Sequence, residues 1–322
     1  MSCRDLTYDS VLVTGGAGFI GSHTVDALLN EGVKVWVLDD LSNGTLRNLH
    51  VWRKNPKLHF RKGNIANRKV IESLAKKVDA IVHLAALVSP YISVKKPEVV
   101  NAVNVTGTLN VLNASVKNKV QRVVFASSSS VYGNQSLLPI SEDSPLHPVT
   151  PYGVSKLAGE KYCGAYYCTY GLSTIALRYF NVYGVRQSAN PYSGVIAIFA
   201  RHLSKGLRPT IYGDGEQTRD FIHVSDVVTA NLQALQASVG AGETFNVGTG
   251  RATKISELSS LLAELVNRTQ ISPTHSPERA GDIRHSYADM TRAREILGFQ
   301  PKVELKQGLK SLIDSISTRT TG

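Results

Sequence analysis

The sequence predicts an α/β fold, a doubly wound parallel sheet followed by a smaller C-terminal lobe. Three observations carry that expectation. Short β-branched runs, VLVTG at 11, VKVWVLD at 33, AIVHLAA at 80, RVVFASSSS at 122 and STIALRYFNVYG at 173, alternate with longer helix-compatible stretches. Such alternation reads as βαβ units feeding a parallel sheet covered on both faces. A glycine triplet directly follows the first run. Beyond about residue 182 the alternation gives way to Gly, Pro and Asn at VYGVRQSANPYSG and YGDGEQTRD, as expected where a second lobe begins.

A chain of 322 residues with 42% hydrophobic and 19% charged residues can bury a full core, and disorder is not favoured. The net charge of +11 favours an anionic partner, either nucleic acid or a phosphorylated small molecule or cofactor. Residues 47–77 concentrate the excess, with Arg47, Arg53, Lys54, Lys57, Arg61, Lys62, Arg68, Lys69, Lys76 and Lys77 set against Glu72. Aromatic interleaving is sparse there, so a solvated face is expected and no nucleic-acid partner. Cys3, Cys163 and Cys168 form no CxxC pair, which points to free thiols in a reducing compartment and to no metal site. The opening MSCRDLTYDS is polar, and no run approaches the ~18 apolar residues of a membrane span. A cytoplasmic protein without a membrane partner is the expectation.

Taken in order, the first element is VLVTGGAGFIGSHTVDALLNEG, which sets Gly15, Gly18 and Gly21 after an apolar strand and into an amphipathic helix. Glycines at this spacing permit a tight turn, backbone approach to a pyrophosphate and close helix packing, with the helix N-terminus facing the anion. A dinucleotide site of Rossmann type is therefore expected. The second strand ends in Asp39 and Asp40. An acid there accepts hydrogen bonds from ribose hydroxyls and repels a 2′-phosphate, so NAD is favoured over NADP.

The strand at 122 runs into Ser127, Ser128, Ser129 and Ser130. Alternation along it sends Ser128 and Ser130 to one face and Ser127 and Ser129 to the other, without saying which pair faces the site. After it, TPYGVSKLAGEKYCGAYYCTYG offers Thr150 as cap, Pro151 in the first turn, and Tyr152 and Lys156 four apart on one helix face. An ammonium one turn from a phenol is expected to lower the phenol pKa from its ordinary ~10 toward neutrality, helped by a cationic nicotinamide. A second YxxxK pair, Tyr91 with Lys95, lies between Pro90 and Pro97 and is expected to form a loop or short turn.

Together, Gly15, Gly18 and Gly21 in GGAGFIG, the serines before VYG, and Tyr152 with Lys156 resemble the extended short-chain dehydrogenase/reductases, specifically the NAD-dependent nucleotide-sugar epimerases and dehydratases. The likeness runs from about residue 10 to 315. It implies a Rossmann-type NAD-binding domain over 1–181, with a returning segment near 221–250, and a mainly nucleotide-sugar-binding lobe over 182–322. It selects Ser128 as the catalytic hydroxyl beside Tyr152 and Lys156, and it implies a homodimer through helices near 100–115 and 152–170.

For the cofactor, the resemblance implies contacts from Gly15, Gly18, Phe19, Ile20, Gly21, Asp39, Asn43, Asn64, Ile65, Leu84, Ala85, Ala86, Asn104, Tyr152, Lys156 and Tyr179. For a UDP-sugar it implies Val88, Ser128, Ser130, Tyr152, Asn181, Val195, Arg219, Phe221, Arg279, Asp282 and Ser286. Arg219 and Arg279 would pair with phosphate oxygens, each having a surface ion pair with Asp220 or Glu278 as its alternative, and Asp282 would accept from the nucleotide ribose. Two departures stand out. Asn64 replaces the usual aspartate that reads the adenine amino group, and Val88 stands where some members carry a lysine.

In the reaction implied, the Tyr152 phenolate takes the proton of the sugar 4-hydroxyl, Ser128 hydrogen-bonds that oxygen, and a 4-keto sugar turns over before reduction on its other face. Related dehydratases carry Thr-Asp-Glu at the quartet. Ser129 and Ser130 cannot act as carboxylic acids, so C4 epimerisation of UDP-glucose, and of UDP-N-acetylglucosamine where the small Ser286 leaves room, is the expected activity. The alternatives are a UDP-glucuronate 4-epimerase using Arg186 on the sugar carboxylate, and a non-catalytic NAD-sensing binding protein.

Overall fold

The computed structural model describes residues 7–187, 194–278 and 282–320. Among them, seven parallel strands form the main sheet: β1 (Ser10–Thr14), β2 (Lys34–Asp39), β3 (Leu58–Lys62), β4 (Ala80–His83), β5 (Arg122–Ser128), β6 (Ser173–Tyr179) and a late strand, Thr244–Val247. Their order is late strand, β6, β5, β4, β1, β2, β3. The chain reverses its direction of winding between β1 and β4, the switch point at which sheets of this kind open a crevice for ligands.

Alternation along the strands divides the core into two layers. Val11, Val13, Val35, Val37, Val124 and Ile175 face helices α1 (Phe19–Asn30) and Val224–Gln236. Leu12, Leu38, Ile81, Val123 and Phe125 face α2 (Arg68–Ala75), α5 (Gly107–Lys117) and α6 (Pro151–Tyr170), with α3 (Pro90–Lys95) and α4 (Pro97–Asn101) packed against α6. Near-continuous apolar strands are what burial on both faces requires.

One sequence expectation is refined here and another corrected. The ten cations of the basic stretch are all exposed, as a solvated face requires, but the stretch also contains β3, whose Leu58 and Phe60 pack on the core. Charged residues on an edge strand keep it from pairing with other chains. The Tyr91 and Lys95 pair lies on a helix rather than a loop. Ser89 caps α3 by accepting the Ile92 N–H, and Pro90 occupies its first position, where no donor is needed.

The second lobe is built on its own core, with Phe221, Tyr183 and Leu258 packed among α7 (Val195–Ser204), α9 (Ile255–Leu265) and α11 (Leu305–Thr320), while α8 (Val224–Gln236) and α10 (Thr291–Leu297) pack on the core of the main sheet. Short strands serve it: β7 (Asn181–Tyr183), β8 (Thr210–Tyr212), β9 (Thr218–Arg219), β10 (Phe221–His223), β12 (Thr253–Lys254), β13 (Thr274–Ser276) and β14 (His285–Ser286). The late strand of the main sheet, β11, stands between β10 and β12 in sequence. β9 pairs with both β12 and β14, which sets Ser286 beside Arg219.

Candidate active site

The loop after β1 is built for close approach. Gly15 has φ +70, and a Cβ on it would lie 2.9 Å from the Ala85 backbone. A Cβ on Gly21 would lie 2.1 Å from the Gly15 carbonyl, so the first turn of α1 seats directly on the loop. Gly18 is the N-cap of α1 and makes no side-chain cap bond, leaving the N–H groups of Phe19 and Ile20 as the end of the helix dipole. Asp39 is buried at the tip of β2, where it accepts N–H bonds from Ala17 (2.9 Å) and Leu41 (2.8 Å). Burial pushes its carboxyl above the usual range against those two bonds. A dinucleotide with an anionic pyrophosphate and an adenosine ribose fits this cradle.

Neighbouring positions fall on both sides of the same crevice. Thr14 holds the end of β4: its carbonyl accepts Leu84 N–H and its hydroxyl accepts Ala85 N–H, both at 3.2 Å. Ala86 follows half-buried, and Val88 is exposed. Ile65 is buried against Gly107, and Asn43 is exposed in the loop after β2. Asn64 is engaged locally, donating to Asp40 Oδ2 (2.8 Å) and accepting Ala66 N–H (2.8 Å). Asn104 sits in a π-helical turn between α4 and α5, a common place for such irregularity near sites. It clasps the Leu87 backbone through N–H (2.8 Å) and carbonyl (3.1 Å), and donates to Ser155 Oγ on α6 (3.0 Å).

Thr150 caps α6 by accepting Gly153 N–H, with Pro151 next, as the sequence suggests. Tyr152 and Lys156 then project from one face into a space closed by β5, and both are buried. Ser128 ends β5 within hydrogen-bonding reach of the Tyr152 hydroxyl. Ser128 Oγ lies 2.6 Å from Ser130 Oγ. Ser130 reaches it through a 3-10 turn over Ser129–Val131 and not by strand alternation, which ends at Ser128. Ser127 points to the other face, donating to Glu160.

The phenol shift is a correction. Burial pushes Tyr152 up to about 12, opposed by the bond to Ser128. Lys156 does not offset it, because its ammonium donates to the Ala126 carbonyl at 2.7 Å and stands 6.0 Å from the Tyr152 ring centroid. The same burial brings Lys156 down to about 8. In the protein alone this is a neutral phenol beside a lysine close to losing its proton, so a further cation is required before the phenol ionises easily.

In the second lobe, Arg219 and Asp282 bond to one another (2.5 Å). Asp220, the ion-pair alternative for Arg219, is instead fully buried and accepts from Thr249, Gly250 and Ala288. Ser286 and Phe221 are buried nearby in register positions, Asn181 donates to the Asp220 carbonyl (3.2 Å), and Val195 opens α7 half-buried. Tyr179 lies beside Ser128 in register, and its hydroxyl donates to Asn231 (2.5 Å). Arg279 lies outside the described residues. Arg186 forms an ion pair with Asp26 of α1 (2.7 Å), which engages the guanidinium that a sugar-carboxylate reading needs.

The NAD dependent epimerase/dehydratase family profile matches residues 11–248. The chain belongs to that family. It is 43% identical to the UDP-glucose 4-epimerase of Mycolicibacterium smegmatis over 94% of this chain and 97% of the relative. Among solved structures, the Thermotoga maritima UDP-glucose 4-epimerase with UDP-glucose superposes with a TM-score of 0.91 at 40% identity, covering 97% of this chain and 99% of the other. A UDP-N-acetylglucosamine 4-epimerase from Methanobrevibacter ruminantium, in complex with UDP-N-acetylmuramic acid, gives 0.92 at 35% identity, covering 98% and 99%. The family is NAD-dependent, and the glycine loop and Asp39 beside the β1 and β4 switch point offer a cradle that fits a dinucleotide. No helix among the described residues is long and apolar enough to cross a membrane.

The sequence reading did not single out Glu160 or Arg178, which form a fully buried ion pair behind Lys156. One signal was available: a glutamate four residues beyond Lys156, on the helix face that must be buried.

Proposed function

We propose that the protein interconverts the C4 epimers of a UDP-hexose, UDP-glucose with UDP-galactose and the N-acetylated pair as well. One observation carries this reading. Tyr152, Ser128 and Lys156 converge at the end of β5, beside a dinucleotide cradle, in a serine quartet with no carboxylate of its own. Elimination of water calls for an additional acid and base, whereas epimerisation needs one proton-transfer group and a hydride acceptor.

The glycine loop, the first turn of α1 and Asp39 would hold NAD, which supplies the reversible hydride chemistry when bound. Tyr152 takes the proton of the 4-hydroxyl and gives it back once the 4-keto sugar has turned its other face. Ser128 donates to the reacting oxygen, steadied by Ser130. Lys156 holds the strand in place through the Ala126 carbonyl, and once NAD is bound its charge adds to that of the nicotinamide in favouring the phenolate. Arg219 exchanges Asp282 for diphosphate oxygens, freeing that carboxylate for the ribose, and Arg279 joins it. Ser286, small and beside Arg219, leaves space for a 2-acetamido group.

In this reading residues 1–181, with the returning segment near 221–250, carry the cofactor, and 182–322 mainly carry the nucleotide sugar. Exposed Val99, Val154, Tyr162 and Tyr167 support a homodimer through α4 to α6. The free Cys163 and Cys168 suit a reducing cytoplasm. The test is to incubate purified protein with UDP-glucose, UDP-N-acetylglucosamine and UDP-glucuronate, without added cofactor, and to look for C4 epimers by NMR. Turnover of the first two is expected; turnover of none overturns the reading.

A further inference from the structure

We propose that Glu160 is a positioning residue for the reaction, its buried carboxylate fixing the strand that carries Ser128 and keeping the Lys156 ammonium charged. This rests on the roles given above to Ser128 and Lys156.

The geometry starts from strand register. Ser127, Arg178 and Asn246 are neighbours across β5, β6 and β11, so they form one polar row on the sheet face that α6 covers. Glu160 descends onto that row from α6. Its Oε1 accepts from Ser127 Oγ (2.5 Å) and Arg178 Nε (2.9 Å), and its Oε2 accepts from Arg178 Nη2 (2.8 Å). Arg178 Nη1 continues to the Tyr132 hydroxyl (2.8 Å) and the Glu142 carbonyl (3.1 Å), and Tyr132 donates to Asn246 Oδ1 (2.6 Å). The side chains of Arg178 and Glu160 are 4% and 3% exposed. A buried ion pair seldom adds net stability over apolar residues of the same size, because desolvation offsets the attraction. Its position gives it another use.

Helix α6 grips β5 at two successive residues. Lys156 bonds the Ala126 carbonyl, and one turn later Glu160 bonds the Ser127 hydroxyl. The next residue is Ser128, facing Tyr152 from the preceding turn of the same helix. The separation of Ser128 and Tyr152 is therefore set by these two grips, and loosening one lets the pair drift. Displacements on that scale are costly for catalysis.

Charge follows the same arrangement. The groups facing Lys156 are Tyr152, Glu160 and Cys163 from α6 and His83 from β4, with the Phe125 ring of β5 5.2 Å away and Arg178 of β6 beyond Glu160. Burial keeps the Cys163 thiol protonated and His83 neutral, at about 3. Glu160 is the carboxylate among them, and it makes the largest contribution holding the Lys156 proton on against desolvation.

The test uses the full-length protein with its bound cofactor, as wild type, Glu160→Gln, and Glu160→Gln with Arg178→Met. The double variant leaves no stranded guanidinium. Lys156 is titrated by NMR of 13Cε-lysine, its signal assigned by loss in Lys156→Arg, and kcat is followed against pH. Glu160→Gln alone lowers Tm, and the double variant recovers it. In the double variant the Lys156 midpoint falls by about one unit. A midpoint falling from about 8 to about 7 cuts the charged fraction at pH 8 roughly fivefold, and kcat falls with it, while pH 6 changes little. A double variant with wild-type midpoint and wild-type profile overturns the proposal and leaves Glu160 a structural residue. A shifted midpoint in a protein that epimerises no sugar upholds the Glu160 to Lys156 coupling and overturns only the proposed activity.

Discussion

Lys156 Nζ donates to the Ala126 carbonyl at 2.7 Å, and through that bond the helix bearing Tyr152 is tied to the strand bearing Ser128. The lysine thus has a structural bond as well as a charge, and the two have opposite consequences. Burying the charge costs free energy that the single carbonyl bond recovers only in part.

Lys156→Met is expected to stabilise the protein stripped of NAD while abolishing turnover. Its folded pKa, about 8, lies below the ordinary 10.5. Folding therefore favours the neutral amine, and stability tied to this group is present above about pH 10.5 and lost as pH falls through about 8. The variant escapes that loss. Its advantage in Tm over wild type should be largest below pH 8, correspond to about 1–3 kcal/mol, and vanish near pH 10.5. Thermal melts across that range measure it; a constant difference would show that the lysine is not buried as a charge.

For Tyr152→Phe, kcat is expected to fall about 10²–10⁴-fold with bound NAD unchanged. The phenol, raised to about 12 from 10, is stabilising while neutral. That stability is complete below about pH 10 and is lost as pH rises through about 12. Replacing it with Phe should flatten the alkaline decline of Tm in that window. A variant that loses NAD or melts early at pH 7 would mean that the ring has a packing role beyond its hydroxyl.

Gly21→Ala should cost the protein its cofactor, because the new Cβ meets the Gly15 carbonyl at 2.1 Å. NAD released on denaturation and quantified by chromatography is expected to drop more than about tenfold. Gly164→Ala is the control. It lies within α6, where a Cβ meets only the Gly242 carbonyl at 3.7 Å, and a gain of about 0.5–1 kcal/mol is expected there.

Arg219→Lys should raise KM for the UDP-sugar about tenfold and leave kcat within about a factor of two, since a lysine cannot present the planar fork that a diphosphate accepts. Initial rates over a range of UDP-glucose concentrations decide it. An equal loss in kcat with KM unchanged would place Arg219 in the chemical step.

Much of this molecule is legible from local pattern. Five of the sheet strands, the glycine loop and the Thr150 cap follow from β-branched runs, spacing and capping chemistry within short windows. β3 was hidden because its apolar residues, Leu58 and Phe60, sit among cations on an edge. α3 was hidden because Pro90 and Pro97 look like breaks, although each starts a helix. The row of Ser127, Arg178 and Asn246 was not legible at all. It depends on the register of three strands far apart in the chain, and no local window contains that information. The direction of the Tyr152 shift was missed for a related reason: spacing places a lysine on the same helix face, but only packing decides where the ammonium is spent.

β11 pairs with β6 at one end of the sheet, yet it is separated from it by residues 180–243. On a ribosome, β6 therefore emerges and waits while those residues are made, roughly 3–13 s at about 5–20 residues per second. Throughout that interval the open edge of a strand whose Thr174, Ile175, Ala176 and Leu177 end up buried faces solvent, a template for pairing with other nascent chains. A fragment ending at residue 181 would make that delay permanent, so aggregation during synthesis is the hazard that this topology carries.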